Sequence, residues 1–185
     1  MTGVPMASIV RGLPAAGVLL LLAACQSPVA KPTAASTATP ADVSFTTNAF
    51  QIIEFDRQEG KLAQTQARNP RVKALAQQLT DEANGFADKL EPVAADAGVR
   101  PPAVLRNDLR VRLGHMQVQQ GLDFDRTYLA DQVASHEEEV MMQDSMSGAG
   151  VSPAFATLVQ QGQDIIRRNL DTLRSLQAGM GTGRR

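Results

Sequence analysis

The chain has 185 residues, a formal net charge of −1 and 4% aromatic residues, with a single Cys and no Trp. This length predicts one ordinary domain. The near-neutral charge argues against a protein that coats nucleic acid, and a single Cys excludes an internal disulfide and a Cys-rich metal site. Few aromatic residues, with abundant Ala, Gln, Leu and Arg, are typical of helices rather than a β-sandwich.

The segment 1–24 has the pattern of a bacterial lipoprotein signal peptide. It contains one basic and no acidic residue, and its apolar run ends in Leu22-Ala23-Ala24-Cys25. A run of about 14 apolar residues is too short to span a bilayer but suits a signal-peptide core. Its end resembles a lipobox, in which the Cys is diacylated, for example with palmitate, and becomes the new N-terminus. The structural alternative is a buried helix that carries a Cys.

The residues after Cys25 predict a destination and a tether. Gln26 stands where the inner-membrane retention signal has Asp. By that resemblance we expect a lipid anchor at the periplasmic face of the outer membrane of a Gram-negative bacterium, with no need of a transmembrane helix. The segment 25–44 is rich in Pro, Ser, Thr and Ala, which predicts a flexible tether. The Gly-containing segment 178–185 is predicted to be a disordered tail.

The region between them, 45–177, has the periodicity of a four-helix bundle. The predicted helices span 45–68, 70–97, 119–147 and 153–176. Pro70 and Pro153 stand at first helical positions, and Gly98 is a natural C-terminal cap. Helices of about 24 to 29 residues favour a bundle. The long connection 98–118 is a crossover between the second and third helices, as in ferritin-like folds.

The crossover is predicted to contain a short helix with three basic residues, Arg106, Arg110 and Arg112. This cluster could contact anionic lipid or a partner, but we expect a solvated helix face. A second charged run, Glu137 to Glu139, is predicted to be an exposed acidic face that follows a core histidine.

One conspicuous polar residue lies near the middle of the apolar seam of each predicted helix. These residues are Asp56, Glu82, His136 and Asn169. Asp56 and Glu82 lie at similar distances from the turn that joins their helices. We therefore expect them to meet side by side across the first hairpin.

Two interpretations of this polar centre remain open. The first is a buried network in which His136 is protonated between Asp56 and Glu82, since paired buried charges are tolerated. The second is a site for one transition metal, Fe, Mn or Zn, in a metal-dependent oxidoreductase or storage protein. Dinuclear carboxylate bundles need Glu-x-x-His on two helices, which the sequence lacks. We identify no nucleophile elbow, phosphate loop or Ser/Cys-His-Asp arrangement, and predict no catalytic residue.

Two segments carry a resemblance to a known family. The segment 45–90 reads FTTNAFQIIEFDRQEGKLAQTQARNPRVKALAQQLTDEANGFADKL, and 121–140 reads GLDFDRTYLADQVASHEEEV, with Phe-Asp-x-x-Tyr followed by Val and His. Both resemble the bacterial domain-of-unknown-function family 4142, often labelled "predicted outer membrane protein". The resemblance covers most of 45–176 and implies a ferritin-like fold.

The family pattern implies a histidine-rich centre that is depleted in this chain. It has Glu where this chain has Asp56, Asp-His where this chain has Glu82 and Ala83, and His where this chain has Asn169. The residues that match are His136, with Asp125 and Tyr128 as supporting residues. We therefore predict an anchored lipoprotein with a binding or envelope and stress-support role, and metal binding as the alternative.

Overall fold

Five helices form the part of the protein that the structure describes. The computed structural model describes residues 38–146 and 150–181; the predicted signal peptide, Cys25 and most of the predicted tether lie outside these residues. The helices are α1 (Pro40–Gln66), α2 (Pro70–Asp96), α3 (Asn107–Gln117), α4 (Gly121–Met146) and α5 (Pro153–Gly181).

The four long helices form a bundle of two hairpins. α1 packs on α2, and α4 packs on α5; between the hairpins, α1 packs on α4 and α2 on α5. The short helix α3 belongs to the crossover and lies on α1 and α4. This arrangement confirms the predicted all-α bundle with a crossover between its second and third long helices.

Several helix ends follow the predicted signals. α2 begins at Pro70, and the side chain of the preceding Asn69 accepts a hydrogen bond from the Arg71 backbone N–H. After α2, Gly98 adopts a φ of 73°, which suits glycine at a helix C-terminus. α5 begins at Pro153, as predicted. Pro70, Gly98 and Pro153 therefore mark real boundaries, although Pro92 lies inside α2.

Two predicted boundaries are wrong. α1 begins at Pro40 rather than at 45, because Thr39 and Asp42 form a capping box in which each side chain accepts a hydrogen bond from the other's backbone N–H. The last residues of the predicted tether are therefore helical. At the other end, α5 continues to Gly181, so the predicted tail 178–185 begins within a helix.

The core consists of two apolar clusters with a polar band between them. One cluster contains Phe55 and Leu173, and the other contains Phe45 and Phe155. Along each long helix the polar seam residue lies where one cluster gives way to the other. Within 38–146 and 150–181, none of the helices is long and apolar enough to cross a membrane.

Buried aspartates connect the loops to distant helices. The carboxylate of Asp125 on α4 accepts hydrogen bonds from the backbone N–H groups of Arg68 and Asn69, both at 3.0 Å, at the turn between α1 and α2. At the opposite end of the bundle, Asp42 accepts one from Ser152 N at 2.9 Å. Each aspartate satisfies backbone donors that a turn leaves without an intrahelical partner.

Two glutamines of α1 hold the crossover in the same way. The Gln51 side chain donates to Val104 O at 2.9 Å and accepts from Arg106 N at 2.7 Å. Gln66 donates to Gln117 O at 2.8 Å, at the end of α3. The position of α3 on the bundle thus depends on polar side chains of α1 as well as on apolar packing.

The prediction of a solvated basic face on α3 is wrong for Arg112. Its side chain is 21% exposed and points toward α4, whereas that of Arg106 is 43% exposed and bonds Asn48 and Asp108. Arg112 lies over the ring of Phe55, with the guanidinium carbon 4.8 Å from the ring centroid. The crossover helix therefore places the guanidinium of Arg112 against α1 and α4.

Gly60 marks the closest approach of α1 to α2, which gives a test of the packing. A Cβ at Gly60 would clash with Thr80 Oγ1, whereas a Cβ at Gly85 would meet no atom within 4 Å. We expect Gly60→Ala to destabilise the protein by about 1–3 kcal/mol through overpacking. Gly85→Ala should instead stabilise it by roughly 0.5–1 kcal/mol, because Ala favours a helix interior. Urea unfolding of both variants measures the two changes, and equal effects would contradict the close approach.

Candidate functional site

The four polar seam residues all line one cavity at the centre of the bundle. Asp56 comes from α1, Glu82 from α2, His136 from α4 and Asn169 from α5. This central cavity has a volume of about 60 Å³, and the rest of its wall is mainly apolar, including Phe45, Ile53, Phe86 and Ile166. The structure therefore brings together the residues that the helical periodicity selected.

The hydrogen bonds of these residues differ from the expected network. Asp56 Oδ1 accepts from Gln132 Nε2 at 3.1 Å, while Glu82 Oε2 accepts from Asn169 Nδ2 at 2.9 Å. Arg168 Nη2 lies 3.5 Å from the same Glu82 oxygen. Each of the two carboxylates thus has its own partner, and neither is hydrogen-bonded to the imidazole.

The prediction that His136 is protonated is wrong. His136 is 3% exposed, and Nδ1 lies 2.9 Å from the carbonyl oxygen of Gln132. Burial lowers the pKa of His136 from 6.5 to about 4; the hydrogen bond to Gln132 and the charge of Glu82 only partly oppose this. Because a carbonyl can only accept, the neutral ring carries its proton on Nδ1 and keeps a lone pair on Nε2.

Four residues of the polar centre were not identified from the sequence. These are Glu59, Asp131, Gln132 and Glu139. Glu139 is 8% exposed, so the prediction that it belongs to an exposed acidic face is wrong. Helical spacing could have found three of them, since Glu59 lies three residues after Asp56, while Gln132 and Glu139 lie four before and three after His136.

Four carboxyl groups, Asp56, Glu59, Asp131 and Glu139, form what we call the carboxyl cluster. Arg112 reaches it from α3 and binds Asp131 through two hydrogen bonds, Nε to Oδ1 at 2.8 Å and Nη2 to Oδ2 at 2.9 Å. Such a bidentate pair is among the stronger ion pairs in proteins. A single guanidinium thus serves the whole carboxyl cluster; it is hydrogen-bonded to Asp131 and also lies 3.9 Å from the exposed Glu138.

Burial holds the remaining carboxyls of the cluster near their neutral forms. It raises the pKa of Asp56 from 3.8 to about 7, although the hydrogen bond from Gln132 opposes the shift. It also raises the pKa of Glu59 well above its ordinary value, aided by the neighbouring carboxylate of Asp131, although the hydrogen bond from Gln132 opposes the shift. The pKa of Glu139 is raised by burial and by the charge of Asp56. The interior of the folded protein therefore retains protons at neutral pH.

The two supporting residues of the predicted motif lie outside the central cavity. Asp125 is fully buried and holds the turn between α1 and α2. Tyr128 is 1% exposed, and its ring stacks on Phe124 with centroids 5.9 Å apart. The Phe-Asp-x-x-Tyr sequence is thus explained by packing and by loop attachment rather than by contact with a ligand.

The donor geometry does not fit a single metal ion. In the parts of the chain that the structure describes, no three His, Cys, Asp or Glu side chains converge closely enough to hold one. The imidazole and the carboxyls share a cavity, but they do not form a coordination shell. The predicted metal site at Asp56, Glu82, His136 and Asn169 is therefore not assembled as a set of ligands to one ion.

These features define an all-α four-helix bundle with a carboxyl-rich centre. The family model described as "Domain of unknown function (DUF4142)" matches residues 27–176, and the chain belongs to this family. The resemblance seen in the two sequence segments is thereby confirmed.

A solved structure with the same fold is the crystal structure of a DUF305 fragment from Deinococcus radiodurans. The two structures superpose with a TM-score of 0.67 and 14% sequence identity. The aligned region covers 77% of this chain and 98% of the DUF305 chain. At this identity the likeness concerns the fold alone. No curated protein matches the chain.

The raised pKa of Asp56 gives a testable dependence of stability on pH. The unfolded carboxyl titrates near 3.8 and the folded one near 7, so stability is lost as pH rises between these values. Asp56→Asn keeps the shape and the oxygen acceptor but removes the charge. We expect it to stabilise the protein by about 3 kcal/mol at pH 8, with a difference that shrinks toward pH 4.

Thermal unfolding between pH 4 and 8.5 measures this difference. Glu54→Gln is the matched control, because it changes a carboxylate of the same helix that is 49% exposed. A stability difference for Asp56→Asn that stays constant across this range would contradict the burial of a protonated carboxyl.

Proposed function

We propose that this protein is a lipid-anchored lipoprotein of the periplasmic face of the outer membrane, and that its helical bundle binds a small ligand. The anchoring half is supported by Leu22-Ala23-Ala24-Cys25 at the end of an apolar run. The family match begins at residue 27, just after Cys25, so the preceding segment lies outside the family domain. An acylated Cys followed by a tether would place the bundle at the membrane surface.

The binding half depends on one observation, the unused hydrogen-bonding capacity of the central cavity. Asn169 Oδ1 and Glu139 Oε1 are buried without a hydrogen-bond partner in the described residues, and both side chains line the cavity. A buried polar atom without a partner costs about 1–3 kcal/mol. Native proteins generally satisfy such atoms with water or with a ligand. The site therefore has the properties of a binding pocket rather than of a closed core.

The anchor is tested by replacing the acylated residue. In a Gram-negative host, the full chain should incorporate labelled palmitate and sediment with outer membranes. Cys25→Ala should remain an unprocessed precursor without label, and globomycin should block processing of the wild type. Ser27→Ala is the control and should be processed normally. Processing and membrane retention of Cys25→Ala equal to those of the wild type would contradict the anchor.

The alternative is a metal-binding or metal-dependent protein, in line with the neutral His136 and its Nε2 lone pair. Its test is metal analysis of the chain after loading with Fe, Mn, Zn or Cu, beside a His136→Ala variant. We expect well under one ion per chain in both proteins, because the donors do not converge. Stoichiometric metal that His136→Ala abolishes would establish the alternative and overturn our account of the cavity.

A further inference from the structure

The side chains at the polar end of the central cavity donate hydrogen bonds to other protein groups and leave acceptor atoms free. Asn169 Nδ2 donates to Glu82, which orients the amide and leaves Oδ1 as a free acceptor. His136 donates from Nδ1 to Gln132 O, which leaves the Nε2 lone pair. Asn169 and His136 are each 3% exposed, so both are built into the interior. A ligand that satisfies these atoms must bring N–H or O–H donors.

The charge around the cavity selects a cation. Arg112 is bound to Asp131, and Arg168, which is 57% exposed, pairs with Glu82. Asp56 and Glu139 line the cavity without an ion-pair partner among the described residues, and their carboxyls remain neutral only by holding protons. A bound cation would neutralise an ionised carboxylate directly, so that the carboxylate would no longer need a proton. An anion would meet only carboxyl groups and lone pairs.

The size and shape of the cavity restrict the cation further. A volume of about 60 Å³ has room for only a few non-hydrogen atoms, since about 10–15 Å³ of such space is needed for one water molecule. A metal ion requires ligand atoms about 2.0–2.2 Å from one point, and no such set of His, Cys, Asp or Glu groups occurs in the described parts of the chain. An ammonium nitrogen donates hydrogen bonds to acceptors at about 2.7–2.9 Å, so it can use acceptors that are spaced more widely than metal ligands.

We propose that the central cavity binds a small primary ammonium ion of about the size of methylammonium. Its N–H groups donate to Asn169 Oδ1, to the carboxylate of Asp56 and to the unpartnered Oε1 of Glu139, which keeps its own proton. Its carbon lies against the apolar wall formed by residues such as Ile53 and Phe86. The proposal rests on the proposed function only in using the cavity as the binding site, and it is independent of the anchor at Cys25.

Binding of this ion is coupled to proton release. The titratable and charged groups around the site are Asp56 and Glu59 of α1, Glu82 of α2, Arg112 of α3, Tyr128, Asp131, His136, Glu138 and Glu139 of α4, and Arg168 of α5. Asp56 must lose its proton to accept the ion as a carboxylate. The affinity for the ion should therefore rise as pH rises from about 5.5 to 8.

The test is titration of the full, detergent-solubilised chain with methylammonium chloride at constant ionic strength. Calorimetry near pH 6.5, where Asp56 still mostly holds its proton, should show saturable binding, with up to about one proton released per ion in buffers of different ionisation enthalpy. Asp56→Asn should weaken binding about tenfold or more, because a charge-assisted hydrogen bond is lost. Glu54→Gln should bind as the wild type does. Tetramethylammonium, which has the same charge but no N–H donor, should not bind.

Absence of saturable methylammonium binding by the folded chain would overturn the proposal. Equal binding of tetramethylammonium, or full affinity in Asp56→Asn, would also overturn it, because the ion would then lie elsewhere. Cys25→Ala should bind methylammonium with unchanged affinity. Failure of the anchor and failure of the cavity proposal are thus separate results.

Discussion

The packing of four carboxyl groups, two buried and two partly buried, around one guanidinium is the constraint on which the rest of this structure depends. Charged carboxylates would be too costly in the bundle interior without partners. Arg112 satisfies Asp131, so Asp56, Glu59 and Glu139 are stabilised in their protonated forms instead. The crossover helix matters here because it carries the cation. Without α3 on α1 and α4, Asp131 would lose its bidentate partner.

This polar band explains other features of the fold. It divides the apolar residues into two clusters, and it surrounds a cavity lined by Asn169 and Glu139, each with a buried acceptor that has no hydrogen-bond partner among the described residues. The loops are held by side chains of the same kind, with Asp125 at one end of the bundle and Asp42 at the other. Polar groups therefore position the ends and the middle of the bundle, while apolar side chains fill the space between them.

The helices and the convergence of the seam residues could be predicted from the sequence, because a period of 3.6 residues and Pro or Gly at the ends are local signals. The start of α1 could not, since the capping box at Thr39 lies in a segment whose composition is typical of a tether. The neutral state of His136 also could not be predicted. The effect of burial on its pKa outweighs that of a nearby carboxylate, and burial depends on all four helices. The inward orientation of Arg112 could not be predicted for the same reason, because it depends on the tertiary position of α3.

The central claim is that the folded interior holds protonated carboxyl groups at neutral pH. The most direct measurement is a ¹³C NMR titration of the side-chain carboxyl carbons, with Asp56→Asn to assign the resonance. The account predicts a carboxyl that titrates with a midpoint of about 7 and disappears in the variant. A spectrum in which every Asp and Glu carboxyl of the folded protein titrates below about pH 5, as in unperturbed peptides, would contradict it.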